Sequence, residues 1–503
     1  MSILSARSPQ SFTIFKRSMI QADGLPLSDI LNSDLIADVF KEEGIQFGIA
    51  DEDVYTPAIT LWAMISQCLF SSSARSCKAA AGRVVSLWAQ IAGRVVAQNA
   101  GNYCRAKAKI SINAIRRITR RLASEVELEI TPFDDLSSPL DAEQSEARLS
   151  PRVIATIRSQ PVHGRFLLAD GFTIDGPDTP ENQAKYPQNP AQAEGIGFPI
   201  LRCVVLISLV TGMLCDLAYA AYVGKETGET ALLRQIKGSL RRGDTLVADS
   251  YYCTYWLVAM CMSMGVNVVM KNHHKRDDNP LGAKRLSERE RLVTWLRPER
   301  PDWMSKREHK KVSNAITIRL SDVEVKTASS RSESFTIATT MLDIERYSNE
   351  WLGSIYESRW MVEPDIKTIK CTIGLEHLRG QSPEAMEREL WTGMLTYNLV
   401  RMKMLQSGYA ANREIRSMSF TETYQVLSTN WLLCACAGVS DAMAAAAQAQ
   451  GVCAVVGNRP GRAEPRENKR RPKVLKLMTV PRAIFQAAFK AAKAARASLA
   501  KIP

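Results

Sequence analysis

Phe166-Leu167-Leu168-Ala169 is a run of apolar residues that ends at Asp170-Gly171, and it decides the fold class. The run has the length of a short buried strand. Thr245-Leu246-Val247-Ala248 repeats the pattern and ends at Asp249. Ligand sites in α/β sheets form at the carboxyl ends of strands, so we expect both aspartates to end their strands and to contribute to such a site. An aspartate that only begins a turn is the competing interpretation of each.

The sequence around these two runs alternates between strand and helix patterns. Strand candidates cover 200–210 and 213–223, helix candidates cover 228–240 and 252–264, and another strand candidate covers 266–270. This order is typical of an α/β sheet.

Residues 273–344 break the alternation. They are rich in Arg and Lys and contain strand candidates at 316–320 and 334–340, which indicates a β-containing insertion. Helix candidates at about 345–370 and 383–404 follow.

The first of these two helix candidates carries Tyr356, Arg359, Glu363 and Lys370. Each helical residue turns about 100°, so these offsets fall within about 60° of one another. We therefore expect one helix face to present a phenol, a guanidinium, a carboxylate and an ammonium. That set suits a site that holds a metal ion and a phosphate together. The competing interpretation is a solvated face with salt bridges between residues four apart.

Asp170, Asp249 and Glu363 together form an oxygen donor set suited to Mg²⁺ or Mn²⁺. Two such ions can stabilise the attacking and leaving oxygens of a phosphodiester displacement. Three carboxylates hold the pair of ions and leave positions open for water and phosphate. We therefore expect two ions at this site.

The N-terminal part of the chain is predicted to be helical, with candidates at 60–69, 79–96 and 110–125. In the third helix, four arginines lie opposite the apolar positions: Arg116, Arg117, Arg120 and Arg121. Such a basic face suits a DNA backbone, and a solvated surface is the alternative. Residues 134–150 have the composition of a linker.

The chain has 503 residues and a net charge of +13. Residues 457–503 contain thirteen Lys or Arg and two Glu, so this tail carries most of the excess. Basic tails of this kind usually contact nucleic acid, although a solubilising tail has the same composition. The eleven cysteines form no CxxC pair, which favours reduced thiols in a cytosolic protein over a zinc site. The apolar stretch 203–223 contains Thr211-Gly212 and Asp216, which favours a buried hairpin over a membrane span.

The spacing from Tyr356 to Lys370 resembles that of the DDE transposases of bacterial insertion sequences, in the subgroup named for its Y-R-E-K pattern. Two further blocks support the resemblance. Leu168-Ala169-Asp170-Gly171, with the later Asp178-Thr179-Pro180-Glu181-Asn182, is similar to the first block of the family, and Gly243-Asp244 with Ala248-Asp249 is similar to the second.

The resemblance implies a ribonuclease-H-like core in which Asp170, Asp249 and Glu363 are catalytic and bind Mg²⁺ or Mn²⁺. It also implies that Tyr356, Arg359 and Lys370 contact phosphates near the cleaved DNA strand. Some relatives stack a flipped base on a tryptophan of the insertion. Trp295 and Trp303 lie in that region, and packing in a small core is an equally good interpretation of each.

The expected fold class is therefore α/β, with a ribonuclease-H-like core, a β-rich insertion before the last catalytic carboxylate, and helical regions at both ends. Five segments are expected: a helical DNA-binding domain at 1–150, the first part of the core at 151–272, the insertion at 273–344, the second part of the core at 345–410, and a helical C-terminal region with the basic tail at 411–503.

The expected function is that of a bacterial, nucleoid-associated DNA transposase that binds the terminal inverted repeats of its element, cleaves there and joins the freed 3′-hydroxyl to target DNA. The resemblance also implies a homodimer that holds two DNA ends. A metal-dependent nuclease that cuts without joining is one alternative. An inactive DNA-binding repressor derived from a transposase is the other.

Overall fold

The computed structural model describes residues 33–50, 53–92, 95–130, 164–277, 280, 282–326, 332–410, 415–436 and 480–499. The linker predicted at 134–150 and most of the basic tail lie outside these residues. No helix within the described ranges is long and apolar enough to cross a membrane.

In the described part of the N-terminal region, five α-helices come before the sheet and confirm the helical prediction there. They are α1 (Ser33–Glu42), α2 (Pro57–Leu69), α3 (Cys77–Ala92), α4 (Ala100–Lys109) and α5 (Ile112–Ile130). Local chemistry starts α2 where it does: the Thr56 hydroxyl accepts a hydrogen bond from the Ile59 amide, and Pro57 occupies the first turn.

The sheet region alternates as the sequence predicts. It contains β1 (Phe166–Asp175), α6 (Pro180–Lys185), β2 (Ile200–Ser208), β3 (Leu214–Ala221), α7 (Glu229–Gln235), β4 (Thr245–Ala248), α8 (Tyr255–Ser263) and β5 (Asn267–Lys271). β1 to β3 are antiparallel neighbours, whereas β4 pairs in parallel with both β1 and β5.

The region predicted to be a β-rich insertion contributes four more strands and a helix. These are β6 (Lys284–Arg285), β7 (Glu290–Leu296), α9 (Lys306–Lys311), β8 (Ala315–Lys326) and β9 (Ser332–Thr339). β9 pairs with β5, so the strands continue the first sheet instead of forming a separate one. Within the described ranges the sheet has nine strands, in the order β3-β2-β1-β4-β5-β9-β8-β7-β6.

The remaining helices are α10 (Asn349–Glu357), α11 (Val362–Lys367), α12 (Pro383–Ala410), α13 (Phe420–Cys436) and α14 (Arg482–Leu499). One hydrophobic cluster joins the N-terminal helices, α12 and one face of the sheet, with members from Leu35 to Leu427. A second cluster covers the opposite face and includes α7 and α8. The mixed α/β architecture, with helices on both faces of one sheet, agrees with the α/β class expected from the sequence.

Candidate active site

Asp170 and Asp249 lie at matching positions along two neighbouring parallel segments, β1 and the end of β4. Leu168 of β1 pairs with Val247 of β4, and each aspartate comes two residues later. Leu168 and Val247 belong to the hydrophobic cluster on the sheet face that packs against α10 and α11. Side chains two apart on a strand share a face, so both aspartates are on the side of the helices that carry Tyr356 and Glu363.

The prediction that Asp170 ends its strand is wrong. β1 continues to Asp175, and its pairing with β2 is unbroken from Leu167 to Asp175, with Asp170 opposite Val205. Asp249 does follow the last residue of β4, as predicted. The difference arises because β2 supplies antiparallel partners to β1 beyond the point where β4 ends.

The Asp170 carboxyl is partly buried, and burial raises its pKa to about 6. The backbone amide of Gly171 donates to Oδ1 at 2.8 Å and lowers the pKa, as does the positive charge of Arg359. The negative charges of Asp249 and Glu229 raise it. A carboxyl in this position gains from any nearby cation, because a cation favours its ionised form.

The segment from Tyr356 to Lys370 is helical but is not the single α-helix that the spacing assumes. α10 ends at Glu357, a 3₁₀ turn covers Ser358–Met361, α11 follows, and a π-turn covers Thr368–Thr372. The side chains therefore differ in exposure. Tyr356 and Arg359 are buried, Lys370 is partly buried, and the side chain of Glu363 is 51% exposed.

Arg359 interacts electrostatically with both Glu363 and Asp170. Its Nη2 lies 3.6 Å from Glu363 Oε1, and its charge lowers the pKa of Asp170. Its guanidinium also lies 4.2 Å from the ring centroid of Trp360. Among the described residues, its buried Nε has no hydrogen-bond partner.

Tyr356 also lies close to Arg359 and Asp249. The pKa of Tyr356 is raised to about 12, chiefly by burial; the charge of Arg359 lowers it and that of Asp249 raises it. The phenol therefore remains a hydrogen-bond donor at neutral pH. Its ring packs edge-on against Phe335 of β9, with centroids 5.0 Å apart.

The structure brings Asp170, Asp249, Tyr356 and Arg359 together, with Glu363 joined to them through Arg359. Lys370 lies 3.4 Å from Glu376. Within the described ranges, no three His, Cys, Asp or Glu side chains are arranged to hold a metal ion. The donor chemistry nevertheless fits a divalent cation. The two aspartates share one sheet face, the pKa of Asp170 is raised, and the exposed carboxylate of Glu363 contacts Arg359, whose charge acts on Asp170.

The four arginines of α5 all have intramolecular partners. Arg120 Nε donates to Asp216 Oδ1 at 2.8 Å, and Arg116 lies 4.0 Å from the same carboxylate, which is fully buried. Arg117 and Arg121 pair with acidic residues at the end of α1. These contacts favour a structural role, while DNA binding by the four arginines stays a prediction.

Two residues beside the aspartates were missed by the sequence analysis. Tyr252 Oη donates to Glu229 Oε2 at 3.1 Å, and the charge of Glu229 raises the pKa values of Asp170 and Tyr252. The Glu229 carboxylate occupies the space that a Cβ on Gly171 would need. No motif marks this glutamate, and only its position on α7 reveals it.

Both tryptophans of the insertion pack against arginines. Arg276 lies 3.7 Å from the ring centroid of Trp295, and Arg234 lies 3.8 Å from that of Trp303. Trp303 is 37% exposed. Base stacking by either residue stays a prediction.

Comparisons with known proteins agree with the resemblance seen in the sequence. Residues 163–399 match the transposase DDE domain family. The chain is 28% identical over 321 residues to transposase InsG of insertion sequence element IS4 from Escherichia coli strain K12; the match covers 58% of this chain and 66% of InsG. A solved structure of the piggyBac transposase synaptic complex with hairpin DNA matches at 9% identity, with a TM-score of 0.36, over 88% of this chain and 86% of that chain.

The family match spans β1 to α12, and so includes Asp170, Asp249 and the whole segment from Tyr356 to Lys370. Enzymes of this family generally use divalent metal ions and act on DNA. Residues 163–399 are therefore similar to transposase DDE domains, and the chain resembles the DDE transposases of bacterial insertion sequences.

Proposed function

We propose that this chain binds the terminal inverted repeats of its insertion sequence, cleaves the DNA there and joins the freed 3′-hydroxyl to target DNA. The observation that carries the proposal is the position of Asp170 in β1 and of Asp249 at the end of the adjacent parallel strand β4, facing the helical segment that bears Arg359 and Glu363. The family match over the same residues supports it.

Asp170, Asp249 and Glu363 would hold Mg²⁺ or Mn²⁺, and two ions suit phosphodiester chemistry. Bound ions supply the positive charge that activates a water or 3′-hydroxyl and stabilises the leaving oxygen. The rise in the pKa of Asp170 supports its assignment, because a buried carboxylate among like charges gains most from a cation.

The cationic and phenolic groups of the segment would hold the DNA. Arg359 has a buried Nε with no hydrogen-bond partner in the described chain, and a phosphate oxygen would satisfy it. Tyr356 keeps its proton at neutral pH and can donate to a phosphate. Lys370 adds a charge on the same segment.

Other features of the proposal rest on the family. The Y-R-E-K subgroup, a homodimer that bridges two DNA ends, a nucleoid location in the bacterial cytoplasm and DNA recognition by the N-terminal helices all fit the expected reaction. We assign β6–β9 as the insertion within the ribonuclease-H-like core, because they separate β5 from the helices that carry Tyr356 and Glu363.

An excision assay in bacteria tests the proposal. A marker flanked by the native element ends is exposed to the parent chain, to Asp170→Asn, Asp249→Asn and Glu363→Gln, and to Glu357→Gln as control. Glu357 is an exposed carboxylate on the same helical segment. The parent and the control should excise the marker, and the other three variants should give only background excision.

The remaining outcomes separate the alternatives. Excision by Glu363→Gln at the parent level would remove Glu363 from the site. If the parent and all variants bind the DNA ends but none excises the marker, the repressor is favoured. If the parent cleaves the ends in vitro without joining them to target DNA, the nuclease is favoured.

A further inference from the structure

A buried ion-pair cluster lies directly behind Glu363. Asp365 comes two residues later and so lies on the opposite side of α11. The side chain of Asp365 is 2% exposed, against 51% for that of Glu363. Arg401 of α12 contacts Asp365 Oδ1, and Arg416 Nη1 donates to Oδ2 at 2.6 Å. Both carboxylate oxygens of Asp365 are therefore bound by guanidinium groups.

The two arginines are themselves anchored to the sheet. Arg401 Nε donates to Tyr397 Oη at 3.0 Å, and Tyr397 Oη donates to the carbonyl oxygen of Gly212 at 2.7 Å. Arg416 donates to two backbone carbonyl oxygens at the end of β2, at 2.7 and 2.8 Å. β2 pairs with β1, so the cluster connects α11 to the strand that carries Asp170.

The local backbone cannot by itself fix the direction of Glu363. α11 has only six residues and lies between a 3₁₀ turn and a π-turn. Such turns have poorer hydrogen-bond geometry than an α-helix and often mark places where a helix can shift. A buried carboxylate held by two anchored arginines opposes rotation of α11, because rotation would leave those charges unpaired.

We propose that Asp365 is a positioning residue for Glu363. Its contacts with Arg401 and Arg416 fix the rotation of α11 and thereby aim the Glu363 carboxylate at the site of Asp170 and Asp249. The inference rests on the proposed function, in which Glu363 binds the metal. Asp365 itself faces away from the site and touches no substrate.

Mn²⁺ binding to the purified full chain tests the proposal without any need for activity. The free-ion signal in electron paramagnetic resonance gives the affinity for the parent, Asp365→Asn, Glu363→Gln and the double variant. Glu290→Gln is the matched control, because Glu290 of β7 is also a buried carboxylate held by an arginine, Arg319, on strands without a candidate catalytic residue.

Asp365→Asn and Glu363→Gln should each weaken Mn²⁺ binding by about 10- to 100-fold, as changes to residues that orient a metal ligand do. The double variant should bind no more weakly than Glu363→Gln, because both changes remove the same ligand. Glu290→Gln should match the parent. Asp365→Asn should also keep its affinity for end DNA within about threefold while single-turnover cleavage falls by about 10- to 100-fold.

Parent-like Mn²⁺ affinity in Asp365→Asn, together with a loss in Glu363→Gln, would overturn this inference and leave the proposed function standing. Parent-like affinity in Glu363→Gln would overturn both. If the losses of Mn²⁺ affinity in the two single variants add up in the double variant, Asp365 has only a structural role, and the inference is overturned.

If Asp365→Asn does not fold, Arg416→Gln takes its place, because Arg401 still pairs with Asp365. Arg416→Gln should then lose Mn²⁺ affinity and cleavage rate in the same way as expected for Asp365→Asn, but to a smaller extent. Unchanged affinity and cleavage would overturn the inference.

Discussion

At the scale of single residues, Asp170 is a carboxyl group whose surroundings disfavour its ionised form. It is partly buried, it has Asp249 and Glu229 as like charges nearby, and Arg359 only partly offsets them. The metal-free protein therefore carries an electrostatic cost at this carboxylate, and a cation would relieve it.

That cost predicts the pH dependence of stability. The folded-state pKa of about 6 exceeds the ordinary value of 3.8, so Asp170 contributes stability that is complete below pH 3.8 and is lost as the pH rises through 6. In metal-free buffer, the free energy of unfolding of Asp170→Asn, taken relative to that of the parent, should therefore rise by about 1–3 kcal/mol from pH 4 to pH 7. Urea unfolding with a chelator at both pH values measures this gain.

Asp302→Asn is the control, because Asp302 is an exposed aspartate in the insertion, away from Asp170. A stability difference for Asp170→Asn that does not change with pH would contradict the assigned environment of Asp170.

At the scale of elements, α5 is held on both sides by its arginines. Arg120 and Arg116 pair with the buried Asp216 of β3, while Arg117 and Arg121 pair with α1. The periodicity of α5 places the arginines opposite the apolar positions, but it cannot indicate that other parts of the fold cover that face.

Arg120→Ala should lower the free energy of unfolding by about 1–3 kcal/mol, because it leaves a fully buried carboxylate with weaker partners. Arg117→Ala should have no measurable effect, because its partners are exposed or only partly buried. Urea unfolding compares the two. If Arg117→Ala weakens binding to end DNA at unchanged stability, the DNA prediction for this face gains support; equal stability losses would contradict the difference in burial.

The end of the π-turn depends on a contact from the N-terminal region. Arg75 Nη1 donates to the carbonyl oxygens of Ile373 and Gly374 at 2.7 and 2.9 Å, and a Cβ on Gly374 would overlap that nitrogen. Gly374 also has a φ of +77°. The helical segment that carries Glu363 therefore ends on a guanidinium from another part of the chain.

Gly374→Ala should cost about 2–4 kcal/mol in urea unfolding, from left-handed strain together with the displaced Arg75. Gly44→Ala is the matched control, since Gly44 has a φ of +64° and nothing within 4 Å of an added Cβ. The control should show the strain alone, about 1 kcal/mol. Equal losses in the two variants would remove any role for the Arg75 contact.

At the scale of the whole molecule, the N-terminal helices and the catalytic sheet share one core. Trp62 of α2, Ile115 of α5 and Trp391 of α12 belong to the same buried cluster as Leu168 of β1. Two parts that bury their apolar surface against each other fold together.

A fragment of residues 151–410 should therefore fail to give a cooperative unfolding transition, and it should bind a hydrophobic dye in native buffer. Adding a separate fragment of residues 1–150 should restore the transition, because it covers the exposed face of α12 and the sheet. Circular dichroism and dye fluorescence measure both effects. A sharp transition in residues 151–410 alone would contradict the shared core.

The sequence allowed prediction of the core strands, of β8 and β9, of the position of Asp249 and of the helical segment with Glu363, because these depend on local apolar patterns, whereas β6 and β7 were not predicted. The position of Asp170 inside β1 was missed, because Gly171 interrupts the apolar strand pattern. A glycine fits at this position because the Glu229 carboxylate occupies the space that a Cβ would need. The 3₁₀ and π-turns and the partners of Asp365 and the α5 arginines could not be predicted, since they depend on contacts between distant parts of the chain.

The pairing of β9 with β5 has a mechanical consequence. Three residue pairs, from Val269–Thr339 to Lys271–Ile337, join the outer four strands to the rest of the sheet. β5 in turn pairs with β4, which leads into Asp249. A load on the outer four strands is therefore transmitted through hydrogen-bonded backbone toward Asp249, and these strands form an arm that is attached to the rest of the sheet next to the candidate active site.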